Sequence, residues 1–363
     1  MPTKTSPHAS RIRATLAVAA VGIITAGCSG SSSGANGTSS APANNPTVAT
    51  SASASASAAG AGCTATSLGY PKIDIKGAKV GFSQSEPETA AFRIAETKSM
   101  QDEAKAQGAT LIHTNADNKI AKQVTDIQGM LNQGVQLLIV APLNSDGLQP
   151  AFDAAKAKKV PVVTVDRLVS STACTDYLTF IGSDFVSQGK RAADALITST
   201  GGTGKVAILL GSSGNGVTTD RTSGFVDELK TAPGLSIVAQ QTGNFAREDG
   251  QKVTEQLLQS NPDINGIYGE NDEMALGAEV ALKGAGKKAG DVKLVSVDGT
   301  KSAVQGIVDG WFSSVVESNP RFGPLAFSTA TDFFDGKAIS SDIIIQDRQY
   351  DESNAKTDVN SAY

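Results

Sequence analysis

The sequence has little of what metal sites and nucleophilic enzymes require. Its 363 residues include only two histidines, three cysteines and one tryptophan. His8 falls in a predicted export signal and His113 stands alone in an apolar run, so the sequence offers neither a Ser-His-Asp nor a Cys-His set. The cysteines are not clustered, which argues against a transition-metal site. We therefore expect no metal, no cofactor and no enzyme activity.

A basic run is also missing. The chain carries 31 Lys and Arg against 36 Asp and Glu, a formal net charge of -5 at pH 7. Proteins that bind nucleic acid neutralise phosphates with Lys and Arg, so we expect no nucleic-acid partner. A dinucleotide is also disfavoured, because the glycine-rich loop at residues 211–216 has the spacing G-x-x-G-x-G rather than G-x-G-x-x-G.

No long apolar run is present at the N-terminus, where an export signal is predicted. Basic residues precede the apolar residues 14–24, and small residues then lead to Cys28. This is the pattern of a secretory signal over residues 1–27, and its apolar part is too short to remain as a membrane-spanning helix. Cys28 after Ala-Gly resembles a bacterial lipobox, in which the cysteine is lipidated. Thr25 stands where that pattern usually has Leu, so simple secretion is the alternative.

Residues 28–62 consist almost wholly of small and polar residues, with alternating Ser and Ala before residue 60. Such a segment buries too little apolar surface to offset the entropy of ordering, so we predict a flexible tether. Beyond it, Cys63 and Cys174 remain. In an exported protein two such thiols indicate one disulfide, with two free thiols as the alternative.

From residue 79 onward, strand-like and helix-like runs alternate. Several strands, such as residues 135–140, are continuous apolar runs, as expected when helices cover both faces of a parallel sheet. The remaining length, roughly 290 residues, exceeds what one core usually holds. We predict an α/β fold of two doubly wound parallel-sheet lobes joined by a multi-strand hinge. The predicted N-terminal lobe is 63–183 plus 318–340, the C-terminal lobe is 184–317 plus 341–350, and 351–363 form a tail.

Polar side chains stand at the ends of five predicted strands. They are Gln84 after Ser83, the pair Asp166 and Arg167, Arg221 after a loop, Asn271, and Asp298. Any single one could merely cap a turn or a helix. Together they indicate one ligand site, because α/β sheets bind ligands at the carboxyl ends of their strands.

The chemistry of the predicted set favours a neutral, hydroxylated ligand. Carboxylates accept hydrogen bonds from hydroxyl groups, and arginines donate them in a fixed fork. Phe92 and Phe245 could cover the apolar face of a sugar ring. Three acids and three bases balance in charge: Asp166, Asp298 and Glu317 against Arg93, Arg167 and Arg221.

The order of the motifs resembles that of bacterial sugar-binding proteins of ABC transporters. The resemblance covers residues 79 to about 350, and the chain is most similar to the ribose-binding branch and its galactofuranose-binding members. It is carried by Val80-Gly-Phe-Ser-Gln84, Ala91-Phe92-Arg93, Ile139-Val-Ala-Pro142, Val165-Asp166-Arg167, Asp220-Arg221, Gly243-Asn-Phe245, Asn271-Asp-Glu-Met274 and Ser296-Val-Asp298-Gly299.

The resemblance implies roles for particular residues. Five would hydrogen-bond the sugar: Asp166, Arg167, Arg221, Asn271 and Asp298. Phe92 replaces a stacking Trp of the galactofuranose binders, Arg93 matches the Arg that follows that Trp, and Phe245 would form a second wall. Glu317 would contribute a polar group from the last crossover. The loop at residues 85–91 is one residue longer than in those relatives, so it leaves Glu86 and Glu88 without an assigned role.

The resemblance also implies a function. We expect a periplasmic binding protein-like I fold that captures a monosaccharide, a hexose or pentose possibly in furanose form, and delivers it to an ABC permease. The protein would be a monomer, anchored by lipid to the outer face of the cytoplasmic membrane. The alternative is a lipoprotein sensor for a sugar signal. A repressor of the same fold would need an N-terminal helix-turn-helix, where this chain has a signal and a tether.

Overall fold

The computed structural model describes the backbone of residues 54–56 and all atoms of residues 62–363. The predicted signal peptide and Cys28 lie outside the described residues, as does most of the predicted tether. Among the helices that are described, none is long and apolar enough to cross a membrane.

The described chain forms thirteen strands and eleven helices. The strands are β1 (Ala54–Ala56), β2 (Lys79–Gln84), β3 (Thr110–Asn115), β4 (Leu137–Val140), β5 (Val162–Val165), β6 (Thr179–Gly182), β7 (Thr203–Leu210), β8 (Gly234–Thr242), β9 (Gly266–Gly269), β10 (Lys293–Asp298), β11 (Phe312–Glu317), β12 (Asp342–Ile345) and β13 (Gln349–Asp351). The helices are α1 (Ala65–Leu68), α2 (Ala91–Gln107), α3 (Ile120–Asn132), α4 (Gln149–Ala157), α5 (Phe185–Thr200), α6 (Gly216–Leu229), α7 (Arg247–Ser260), α8 (Asp272–Gly284), α9 (Lys301–Val308), α10 (Gly323–Phe334) and α11 (Ala355–Asp358).

Two sheets organise the molecule. The first has the order β1-β12-β6-β5-β4-β2-β3 and the second the order β13-β11-β10-β9-β7-β8. Every strand pair is parallel except those made by the edge strands β1 and β13. We call the parts built on these sheets the first and the second lobe. The predicted fold of two α/β lobes with parallel sheets is confirmed.

Helices cover both faces of each sheet, which explains the continuous apolar strands. In the first lobe, α2 and α10 pack on one face and α3 and α4 on the other. In the second lobe, α5 and α6 cover one face, and α7, α8 and α9 cover the opposite one. Strands β4 and β5 are buried along their whole length. Their apolar sequences therefore follow from burial on both faces.

Glycines allow α5 and α6 to approach closely. A Cβ atom at Gly189 would lie 2.2 Å from the carbonyl oxygen of Arg221, and one at Gly224 would lie 2.1 Å from that of Val186. No side chain fits at these positions while the backbones stay in place. This close contact sets where Arg221 stands relative to the sheet.

The chain crosses between the lobes three times, and one predicted boundary needs correction. The crossings follow β6, β11 and β12. Residues 341–350 were expected in the second lobe, but β12 pairs in parallel with β6 and extends the first sheet. Only β13, after the third crossing, joins the second sheet. A short strand with three isoleucines can extend either sheet, so the local sequence could not decide between them.

The two ends of the described chain also differ from expectation. β1 lies within the predicted tether and pairs with β12. The predicted tail, residues 351–363, packs on the second lobe, where Ala355, Val359 and Ala362 are buried. Cys63 and Cys174 are joined by a disulfide bond, with their Cα atoms 5.6 Å apart.

Candidate ligand-binding site

A cavity lies between the lobes at the carboxyl ends of their strands. Eight of the ten predicted ligand-binding residues line it; Gln84 and Glu317 do not. The first lobe contributes Glu86, Ala90, Phe92, Arg93, Asp166 and Arg167, and the second contributes Val217, Arg221, Phe245, Asn271, Glu273, Asp298 and Thr300. Asp166 and Asp298, which are far apart in sequence, thus line one cavity.

On the first-lobe side, Arg93 is the centre of a buried charge cluster. It stands in the first turn of α2, and its guanidinium Nε lies 2.8 Å from Glu86 Oε2. Its Nη1 lies 2.7 Å from both Glu96 Oε2 and Asp166 Oδ2. Arg167 closes the cluster, with Nη2 2.6 Å from Glu86 Oε1. Its Nε lies 3.5 Å from Asp166 Oδ2. Arg93 therefore contacts three carboxyl groups, and Arg167 shares two of them.

Burial and charge move the carboxyl groups of this cluster in opposite directions. For Glu86, burial favours the neutral acid, but Arg167 and Arg93 outweigh it and lower the pKa to about 2. For Glu96, burial raises the pKa to about 7, and the charge of Asp166 acts in the same direction while Arg93 opposes it. Glu86 at the cavity wall is thus ionised at neutral pH, whereas Glu96 behind it takes up a proton near neutral pH.

On the second-lobe side, Arg221 is oriented by neutral groups. Its Nε donates to Gln188 Oε1 at 2.9 Å, and its Nη1 donates to the carbonyl oxygen of Glu270 at 2.5 Å. Its Nη2 lies 3.6 Å from Asp298 Oδ1. Two groups that cannot titrate therefore fix the guanidinium, and its remaining donors face Asp298 and the cavity.

Asp298 differs electrostatically from Glu86. Burial raises the pKa of its carboxyl well above the usual range, Asp272 and Asp166 act in the same direction, and Arg221 opposes them. A carboxyl group that keeps its proton can donate a hydrogen bond as well as accept one. Asp298 is therefore suited to a ligand hydroxyl in either role.

Asn271 both caps a helix and lines the cavity. It is the N-cap of α8, where its Oδ1 accepts from the backbone N–H of Met274 at 3.0 Å. Its Nδ2 donates to the carbonyl oxygen of Phe245 at 3.1 Å, and the side chain lines the cavity. Asp272, the first residue of α8, accepts from the backbone N–H groups of Gly299 and Thr300 and so holds the loop after Asp298.

The two phenylalanines form opposite parts of the wall, each beside an arginine. The guanidinium carbon of Arg93 lies 4.8 Å from the centre of the Phe92 ring. That of Arg167 lies 5.8 Å from the centre of the Phe245 ring, a contact between the lobes. Apolar ring surface and charged donors thus alternate around the cavity, which suits a ligand with an apolar face and polar edges.

Gln84 and Glu317 lie behind the cavity instead of in its wall. Gln84 is fully buried, and its Nε2 donates to Glu96 Oε2 at 2.9 Å and to Thr97 Oγ1 at 3.2 Å. Glu317 accepts from Arg348 through Nη2 at 2.9 Å and Nε at 3.1 Å. Both support neighbouring elements, and neither is among the cavity's lining residues.

Glu86 had no predicted role, yet it contacts two cavity arginines. The extra residue in the loop after β2 obscured its position. The available signal was an acid close to a strand end, as for Asp166 and Asp298. The lining contains three arginines and four acids, of which Glu86 and Glu273 were not predicted.

The comparisons with known proteins agree with this architecture. The model of the periplasmic binding protein domain matches residues 80–338. The ribose import binding protein of Bacillus subtilis is 36% identical over 253 residues, which cover 69% of this chain and 80% of that protein. A solved galactofuranose-binding protein has a TM-score of 0.75 and 30% identity, covering 78% of this chain and 98% of that one. A Mycobacterium smegmatis structure in complex with β-D-fucofuranose has a TM-score of 0.74 and 32% identity, covering 78% and 94%.

The family match spans more than half of the chain, and the resemblance predicted from the motifs is confirmed. The two α/β lobes with mostly parallel sheets match the fold of these relatives. The chain is a member of the periplasmic binding protein family.

Proposed function

We propose that this protein captures a monosaccharide in the cavity between its lobes and delivers it to an ABC permease. The observation that carries the proposal is the donor and acceptor set of the cavity. Three arginines, the carboxylate of Glu86, the carboxyl of Asp298, whose pKa burial raises, and the amide of Asn271 line one cavity together with two phenylalanine rings. A ring with several hydroxyl groups and no charge can satisfy such a set.

The binding step requires no covalent chemistry. A sugar hydroxyl would replace its hydrogen bonds to water with bonds to charged partners, which are stronger in a site shielded from solvent. Half of these partners stand on each lobe, so the full set is available only when the lobes are together. Sugar binding would therefore favour the closed arrangement by a population shift.

The names of two solved neighbours support a proposal on the ring form of the sugar. They are described as a galactofuranose-binding protein and as a complex with β-D-fucofuranose. We infer that a five-membered ring is the preferred form. The identity of the sugar then depends on the substituent beyond the ring, which Phe92, Phe245 and Val217 would contact.

A thermal-shift panel tests the proposal. We expect one or more of D-ribose, L-arabinose, D-galactose, D-fucose and D-fructose to raise the melting temperature. A sugar at 100 times its dissociation constant stabilises the folded state by about 2.7 kcal/mol, roughly 4 °C for about 300 folded residues. Ribose 5-phosphate is the matched control, since each cavity arginine already lies beside a carboxyl group. A flat response to every neutral sugar would contradict the proposal.

We further propose that the protein acts outside the cytoplasm and is held at the membrane through a lipid on Cys28. The support is the signal pattern, the small-residue segment behind Cys28, and the Cys63–Cys174 disulfide, a bond typical of exported proteins. Mass spectrometry of the mature protein from membranes should find diacylglycerol on an N-terminal Cys28. A mature N-terminus at any other residue would refute the anchor but leave the sugar site untouched.

A further inference from the structure

The last residue of the chain reaches from one lobe to the other. Ala362 is buried in the apolar core of the second lobe. Tyr363, one residue further on, packs against the apolar core of the first lobe. The neighbouring residues Ala362 and Tyr363 therefore pack against different lobes.

Hydrogen bonds hold Tyr363 to the second lobe and to a crossover. Its carbonyl oxygen accepts from the backbone N–H of Lys301 at 2.6 Å. Its hydroxyl lies 2.9 Å from the carbonyl oxygen of Asp298 and 3.2 Å from that of Ser318, and it can donate its one proton to either. Burial raises the pKa of this phenol well above its usual range, so the hydroxyl keeps its proton.

The ring of Tyr363 contacts the first lobe at the wall of the cavity. It meets the Phe92 ring edge-on, with the ring centres 6.1 Å apart and the planes at 77°. The guanidinium carbon of Arg321, from the segment that leads into α10, lies 5.5 Å from the ring centre on another side. Tyr363 thus touches the backbone of one cavity residue, Asp298, and the side chain of another, Phe92.

This geometry makes the contacts of Tyr363 depend on the arrangement of the lobes. The bond to Lys301 and the burial of Ala362 stay within the second lobe, so they survive when the lobes separate. The contact with Phe92 does not survive, because Phe92 stands on α2 in the first lobe. A contact present in only one arrangement stabilises that arrangement by its own free energy.

We propose that Tyr363 is a latch between the lobes, which favours their closed arrangement and holds Phe92 in position at the cavity wall. It is a positioning residue, since it is not among those that line the cavity. The closure it favours would serve the proposed sugar binding. The latch itself does not depend on which ligand binds.

Two positions on opposite sides of the cleft allow closure to be measured without any sugar. Ser145 follows β4 in the first lobe, and Gly216 begins α6 in the second. A Cβ atom at Gly216 would lie 3.0 Å from Ser145 Oγ, close to the separation that a disulfide requires between one sulfur and the partner's Cβ. In the full chain with Cys28→Ser, the pair Ser145→Cys and Gly216→Cys should therefore cross-link when the lobes are together. The rate in a glutathione buffer reports how often they close.

We expect Tyr363→Ala to slow this cross-linking roughly two- to ten-fold, the effect of losing the aromatic pair with Phe92. Tyr363→Phe keeps the ring and should give a smaller decrease. Asn360→Ala, an exposed change on the same segment, is the matched control and should leave the rate unchanged. Thiol labelling of each chain that carries only one of the two introduced cysteines must be equal in all backgrounds, so that the rate reflects proximity alone.

Two outcomes would overturn the latch. One is a cross-linking rate for Tyr363→Ala equal to that of Asn360→Ala. The other applies if Tyr363→Ala does not fold: Tyr363→Leu, which keeps an apolar side chain but loses the ring, would then have to match the parent chain. Because no sugar is present, a failure here is separate from a failure of the sugar panel.

Discussion

Replacing Arg93 with alanine is expected to lower the free energy of unfolding by about 3–5 kcal/mol, the cost of breaking a buried ion pair by removing one partner. Arg93 lies within 2.8 Å of carboxyl oxygens of three acids, Glu86, Glu96 and Asp166. In its absence only Arg167 remains to offset their charges. Urea denaturation at pH 7 measures the loss.

The matched control for this change is Arg247→Ala. Arg247 also pairs with an acid, Glu273 at 2.8 Å, but its side chain is 49% exposed. Exposed pairs contribute at most about 1 kcal/mol, so this variant should unfold nearly as the parent does. Equal losses of unfolding free energy in the two variants would mean that the buried cluster around Arg93 stabilises the fold no more than an exposed ion pair does.

The pH dependence of the stability of the Arg93→Ala variant provides a second check. Arg93 lowers the pKa of the Glu86 and Glu96 carboxyl groups, so its removal raises both in the folded protein. The folded variant then binds more protons than the folded parent while the unfolded chains bind the same number, so the variant gains stability relative to the parent as the pH falls. The difference between the Arg93→Ala variant and the parent should therefore shrink between pH 7 and pH 5.

Arg221→Ala is expected to weaken binding of the best sugar of the panel by about 1.5–3 kcal/mol, roughly 10- to 150-fold. Arg221 is buried, lines the cavity and is fixed by Gln188 and the carbonyl of Glu270. Its loss removes charged donors from the sugar and leaves Asp298 without its cationic neighbour. Isothermal titration calorimetry with that sugar measures the effect.

A control is needed because Arg221→Ala also removes contacts within the second lobe. Arg191→Ala serves this purpose, since Arg191 on α5 donates to the carbonyl oxygens of Asp347 and Arg348, away from the cavity. It should lower stability without lowering affinity. Unchanged affinity in Arg221→Ala would remove Arg221 from the proposed binding residues.

Most of the cavity could be predicted because its residues obey a local rule. Asp166, Asn271 and Asp298 each follow a buried parallel strand, and such strand ends meet at one edge of a sheet. The rule predicts where a side chain is attached in the fold but not which way that side chain points. Gln84 also ends a strand, yet its side chain turns back to Glu96 and Thr97, because α2 covers it.

The residues that escaped prediction depend on the path of the chain between elements. Glu86 reaches Arg167 only through the turn that residues 85–90 take. Glu317 is the last residue of β11 and is drawn to Arg348, which arrives after the third crossing. In both cases the deciding partner is distant in sequence or lies beyond an irregular loop.

By itself, the sequence determined the α/β class, the two lobes and the polar strand ends, because apolar periodicity and strand-end chemistry are encoded over short stretches. Only the tertiary structure decided that β12 joins the first sheet, that Glu86 enters the cavity, and that Tyr363 spans the lobes. The physical reason is that these three features rest on contacts between residues far apart in the chain, which no local pattern records.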